Sequence, residues 1–325
     1  MPHSPPLTLT PRLIDLVSRI SEALGRWEGA MAEVSPKLRR ENRIRSIHAS
    51  LAIENNTLSL SQVIDIIDGK PVIGLPNEIK EVRNAVAAYE ILDSLDPTST
   101  GDFLTAHRTL MIGLASDAGR FRRGGVGIYQ GARLVHMAPP ADRVPHLMKD
   151  LCRWLKRTDT HPLLAGAVMH YEIEFIHPFS DGNGRMGRMW QTLVLSRWKP
   201  RLANLPIETV VHANQADYYA ALAASDKAAD AAPFAEFILD AMLDSLRQET
   251  TNDPVGDPVS DPVSRLLAIF RPGEELAIHV MMERLGLKHR TYFRRTFLNP
   301  ALGAGKIAMT VPESPHHPKQ RYKPA

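Results

Sequence analysis

A mainly α-helical body with a single β-hairpin, followed by a small second domain, is the fold class this sequence predicts. Three observations predict it. Segments with apolar residues at three-to-four spacing fill most of the first 250 positions, and one stretch alone, Val126–Met137, alternates. The third is Asn252–Ser264, NDPVGDPVSDPVS, where a DPV unit recurs three times with proline every fourth residue; this forbids helix and central strand and marks a linker.

The length of 325 residues suits about two domains, and 44% hydrophobic with 23% charged residues is the composition of an ordinary globular protein. No apolar run approaches the roughly 20 residues that span a bilayer. The start, MPHSPPLTLTPRL, lacks the charged and apolar regions of a signal peptide, so residence in the cytoplasm is expected.

Helical spacing predicts helices over Pro11–Glu33, Pro36–Ile53, Asn84–Asp93, Phe103–Leu114, Asp142–Arg157, Pro162–Phe175, Arg185–Arg197 and Pro233–Arg247. The second ends near Glu54, where Asn55-Asn56 suits a helix stop. The alternating stretch reads as a hairpin turning at Gln130-Gly131 and stopped by Pro139-Pro140. An exposed strand edge of that kind can pair with an extended peptide.

Beyond the linker, Val263–Phe270, Ile278–Leu287 and Arg290–Phe297 read as helices and Lys306–Val311 as a strand. Together they suggest a winged-helix module with Arg290, Arg294 and Arg295 on its recognition helix. Charge supports an anionic partner there. From Arg284 onward nine Lys or Arg face one acid, Glu313, so this end carries +8 of a net +3 and the rest must carry −5. DNA is the expected partner.

The chemistry concentrates in His177–Arg188, HPFSDGNGRMGR, which runs into an amphipathic helix. Glycines 182 and 184 around Asn183 let the main chain approach an anion, and the free N–H groups of a helix start point at it. Arg185 can add a charge-assisted fork, and Arg188, three residues on, lies on nearly the same face. Asp181 stands where Mg2+ could bridge phosphate oxygens. His177 is the group suited to taking a proton from a hydroxyl near neutral pH.

Other readings of these residues fail on context. Gly182-x-Gly184-x-x-Gly187 matches a dinucleotide fingerprint, and Glu208 lies about 20 residues beyond it. Yet the preceding YEIEFIHPF carries Glu172 and Glu174, which a strand buried on both faces would not. There is no P-loop pattern, and no G-x-S-x-G elbow surrounds Ser180. His170 has neither an HExxH partner nor a third ligand and reads as a hydrogen-bonded structural histidine. The sole cysteine, Cys152, reads as a buried thiol, and His316-His317 sit in a proline-rich tail.

The motif closely resembles that of the Fic family, HxFx[DE]GNGRxxR, with all eight specified positions matched. Asn84-x-x-x-Ala88-Tyr89-Glu90, Gly119-Arg120-Phe121-Arg122 and the Pro139-Pro140 exit are similar to that family too, so the likeness covers roughly Ala49–Leu243. It implies a Fic-type helical bundle that transfers AMP from Mg·ATP to a Ser, Thr or Tyr hydroxyl of a target protein. His177 would be the base and Asp181 the Mg2+ ligand. Phe179 would be a buried anchor, and Gly182, Asn183, Gly184, Arg185, Met186, Gly187 and Arg188 would hold the nucleotide, Arg188 at its γ-phosphate. Leu134, Val135, His136 and Met137 resemble the family's flap, which aligns a target segment, and Tyr218 and Tyr219 the pair beside the adenine or ribose.

Ser50-Leu51-Ala52-Ile53-Glu54-Asn55 resembles the family's inhibitory pattern [ST]xxxE[GN]. The likeness implies that Glu54 pairs with Arg188 and withholds it from the γ-phosphate. The domains expected are then 1–100 (N-terminal helices, with the inhibitory helix at about 37–55), 101–250 (catalytic core), 251–264 (linker) and 265–325 (basic winged-helix module). Two alternatives stay open: a nucleotide-sensing DNA-binding regulator, and an enzyme that removes AMP. The family also implies pairing of copies through helical faces.

Overall fold

The computed structural model describes residues 4–30, 35–130, 133–251, 262–271, 274–285, 287, 293–310 and 320–324. The chain divides into two compact units, Met1–Thr251 and Asn252–Ala325. Among the described residues no helix is long and apolar enough to cross a membrane.

The first unit runs α1 (Pro11–Ala30), α2 (Pro36–Ile53), α3 (Leu60–Ile67), α4 (Pro76–Glu90), α5 (Thr100–Met111), β1 (Gly127–Gln130), β2 (Arg133–Met137), α6 (Val144–Arg157), α7 (Pro162–Ile176), α8 (Asn183–Trp198), α9 (Ile207–Ala213), α10 (Gln215–Ala228) and α11 (Ala232–Thr251). Local chemistry sets the boundaries. Ser35 accepts the Leu38 N–H at the start of α2, with Pro36 in its first turn. Asn55, in the left-handed region at φ 68°, ends it. Ser59 and Gln62 form a reciprocal capping box on α3.

Helix α7 lies at the centre, and nearly all of its length is buried. That is why it is apolar all round instead of striped. Its Gly166 lets Leu195 of α8 come close, since a Cβ there would stand 3.3 Å from that side chain. Two apolar clusters share these helices: one joins α1 and α11 to them, the other α2–α6.

Helix α2 is tied along its length by polar bonds. The buried Asn42 donates to Glu249 at 2.8 Å, Ser46 donates to the buried Glu208 at 2.8 Å, and Gln215 of α10 donates to the Ile53 carbonyl at 2.8 Å. The single hairpin expected from the alternation is present. Its register, Ile128 with His136 then Tyr129 with Leu134, leaves Val135 as an extra residue in a bulge.

In the second unit, a helix at Pro262–Ala268 takes up the last residues of the expected linker, with Pro262 at its first position. Residues 252–261 lie outside the described set, as do Arg290 and the side chain of Arg295. Ile278–Arg284 is helical, and Arg294–Leu298 is a π-helical turn leading into a short helix, Asn299–Gly303. Ile307–Met309 pairs antiparallel with Tyr322–Pro324 around a core of Leu266, Met281, Phe293, Phe297 and Tyr322.

Candidate active site

The site is built where α7 stops and α8 begins. His177 ends α7 in the left-handed conformation, φ 49° and ψ 60°, which a histidine adopts only under constraint. Gly182, at φ 85°, starts α8, and a Cβ there would also meet the Met111 sulfur at 2.9 Å, so glycine is required on two counts. No side chain caps α8, leaving its first-turn N–H groups for an anion.

Between these ends the turn is pinned. The Asn183 amide accepts the Phe179 N–H at 2.9 Å and donates to the Phe179 carbonyl at 3.0 Å. Phe179 is fully buried, stacked against Phe103, Phe121 and, at 3.5 Å between ring centres, His107. His107 Nδ1 accepts the Gly119 N–H at 2.9 Å, so its proton sits on Nε2 and is donated to the Asp181 carbonyl at 3.0 Å. Burial pulls its pKa down to about 4, which keeps the ring neutral.

Two buried arginines face this turn. Arg185 donates to Asp181 at 3.0 Å and Glu81 at 3.3 Å, while its Nε has no acceptor. Arg188 donates to the Ser50 hydroxyl and carbonyl, both at 3.0 Å, and to Glu54 at 2.7 Å. Its side chain is 2% exposed against 28% for Glu54. Burial alone would lower the Arg188 pKa, but Glu54, Tyr218 and Glu174 outweigh it and hold it above its ordinary value. Its Nη1 is buried without an acceptor.

The same point is marked by Gly184. A Cβ there would meet Glu54 Oε1 at 2.4 Å, Arg188 Nη1 at 3.0 Å and Glu174 Oε1 at 3.2 Å. A carboxylate therefore occupies the concave side of the turn, beside a donor with nothing to bind. That is the chemistry of an anion cradle with an internal acid in it.

The profile of the Fic/DOC family matches residues 97–195, and that of the "Filamentation induced by cAMP protein Fic-like, C-terminal domain" matches residues 261–324. A crystal structure of a Fic family protein from Desulfovibrio desulfuricans G20 is 53% identical, covers 99% of this chain and 98% of its own, and superposes with a TM-score of 0.75. The chain belongs to the Fic family. Protein adenylyltransferase fic-1 of Caenorhabditis elegans is 33% identical over 215 residues, 62% of this chain and 40% of that protein. Protein adenylyltransferase Fic of Aedes aegypti is 29% identical over 73% of this chain and 49% of its own. The chain thus spans less than half the length of these two curated relatives.

Of the Fic-motif residues expected at the site, Asp181 pairs with Arg185, Arg188 is joined to Ser50 and Glu54, and Gly184 faces that pair, while Gly182 and Asn183 shape the turn that His177 begins. Met186 and Gly187 turn into the body instead. Met186 is fully buried with its N–H bonded to the Gly182 carbonyl, and Gly187 packs against His170, 2.6 Å from where its Cβ would be. Tyr218 is also a core residue, 1% exposed, its hydroxyl against His170 and Glu174 at 3.1 Å each, whereas Tyr219 is 48% exposed. Leu134, Val135, His136 and Met137 lie on β2, which runs beside α10; Met137 is exposed, and the side chains of 134–136 lie outside the described set.

His170 is buried, held by Gln191 at 2.6 Å, and lowered by burial to about 3, a structural histidine as expected. Burial raises the Cys152 thiol to about 12, far from a nucleophile. His107, Glu81 and Arg122 escaped the sequence reading as site residues. They come from elements distant in sequence: His107 stood in a predicted helix and Arg122 in the Gly119–Arg122 turn, but neither was given a role.

For Mg2+ the protein's own donor set is sparse. Among the described residues no group of three or more His, Cys, Asp or Glu could hold a metal. Asp181 offers one carboxylate, 61% exposed. One carboxylate suits an ion that keeps its waters and takes its other ligands from nucleotide phosphates.

Proposed function

We propose that this Fic protein transfers AMP from Mg·ATP to a hydroxyl side chain of a target protein and is held inactive by Glu54. The observation that carries the reading is the buried Arg188, paired with Glu54 at the lip of the Gly184 cradle and keeping one unfilled donor. The names of the two curated relatives support it.

In this reading the triphosphate lies across the first turn of α8, on its free N–H groups, with Arg185 and Arg188 as forks. His177 takes the proton from the incoming hydroxyl. The hydroxyl oxygen bonds to the α-phosphorus as the bond to pyrophosphate breaks. Mg2+ held by Asp181 would neutralise phosphate charge. Glu54 restrains the reaction because it neutralises Arg188 and places negative charge where the terminal phosphate needs a cation.

Incubating the Glu54→Gly variant with ATP labelled at α or at γ, in the presence of a cell lysate, separates the chemistries. Label retained from the α position alone means AMP transfer; label from γ alone means phosphorylation and sinks the reading. His177→Ala in the same background should lose about 10²–10⁴-fold, the usual contribution of a positioned base.

A further inference from the structure

Arg122 is heavily engaged beside His177. It leaves the loop before β1 and donates four hydrogen bonds, all to main-chain carbonyls. Nε donates to His177 at 2.7 Å, Nη2 to Ile176 at 3.2 Å and to Pro139 at 2.6 Å, and Nη1 to Gly124 at 2.8 Å. Its own N–H donates to the Pro178 carbonyl at 2.9 Å. The residue is 4% exposed.

The partners fall into two groups. Ile176, His177 and Pro178 form the strained turn that presents the imidazole. Gly124 and Pro139 flank the hairpin, one before β1 and one after β2, just outside the Ala138-to-Val126 bond that closes its base. The fork also uses four of its five N–H groups without a carboxylate partner, and burial lowers its pKa. A buried, unpaired charge is costly, and a fold keeps one only where its geometry is needed.

We infer that Arg122 is a positioning residue that fixes the hairpin relative to the His177 turn, so that a segment lying along the hairpin edge presents its hydroxyl to the imidazole. This rests on the adenylyl-transfer reading above. Neither lysine nor glutamine can replace it, because the planar fork, not the charge alone, reaches both segments. The phosphate cradle does not depend on it: Arg122 bonds nothing in the 182–188 turn. Losing the tie should therefore leave nucleotide affinity intact and displace the acceptor, where a misplacement of about 1 Å can cost on the order of 10²-fold in rate.

The test places Arg122→Lys and Arg122→Gln in the full-length Glu54→Gly protein and makes three measurements. Affinity for a non-hydrolysable Mg·ATP analogue by calorimetry should stay within about twofold of the parent. Amide exchange across the hairpin, 126–138, should speed up at least tenfold while the first turn of α8 is unchanged. Incorporation of α-label into lysate proteins should fall at least tenfold in both variants alike. Hairpin exchange and labelling that stay near the parent's would overturn the inference. So would loss of nucleotide affinity in parallel with labelling, since that is a general structural role, or full rescue by lysine, since that is charge alone. Absence of α-label incorporation in Glu54→Gly with Arg122 intact would instead remove the transfer reading and leave the exchange result to judge the tie.

Discussion

The decisive residues here are those in surroundings that ought to penalise them. Arg188 is buried and keeps a spare donor, His177 is left-handed, and Phe179 is clamped between rings. The phenyl ring bears no chemical role but sets the turn, so Phe179→Ala should cost about 3–5 kcal/mol in thermal or denaturant unfolding, the usual price of an emptied aromatic site. Glu172 supplies a pH signature. Burial pushes its carboxyl up to about 7, and no other influence opposes this. Because the folded pKa lies above the unfolded one, the native state holds the extra proton, and stability from this group is lost as pH rises from about 4.5 through 7. The loss should approach about 3 kcal/mol by pH 8 and be absent in Glu172→Gln. Equal pH slopes for the two proteins would contradict it. The motif made His177, Asp181 and the two arginines legible in the sequence; the neighbours Glu81 and His107 were not, because nothing local announces a side chain that arrives from another helix.

At the scale of elements, α2 carries Ser50, with Glu54 just past its end, against Arg188, and its boundaries were legible: Pro36 starts it and Asn55 ends it. The hairpin was equally plain from its alternation. By contrast α3 and α9, of 8 and 7 residues, are too short for a periodicity to register, and α4 extends eight residues earlier than its spacing suggested because Pro76 marks a start that the charged first turn hides. The ties to Glu249, Glu208 and Gln215 hold α2 on the body at both ends. Release of Arg188 is therefore expected to move the Glu54 side chain, not the helix. Ser46→Ala leaves Glu208 with the Tyr89 hydroxyl at 3.4 Å as its remaining side-chain donor. It should lower stability by about 1–3 kcal/mol in denaturant unfolding. No measurable loss would mean that this bond does not hold the helix.

The molecule as a whole is two units with separate cores, and the DPV repeat announced the division. The basic balance of the second unit is the ground for the DNA contact expected from the sequence; Arg290, one of the arginines expected to make it, lies outside the described residues. Binding of a random duplex should fall steeply between 50 and 200 mM salt and survive His177→Ala, since phosphate contacts set it. Salt-independent binding, or none at low salt, would remove that role. The proposed restraint of transfer by Glu54 is the central claim. The initial rate of α-label incorporation, wild type against Glu54→Gly at equal ATP, tests it most directly. Freeing a charge-assisted contact worth about 1.5–3 kcal/mol predicts a rise of roughly ten- to a hundredfold. Equal rates in the two proteins would contradict it.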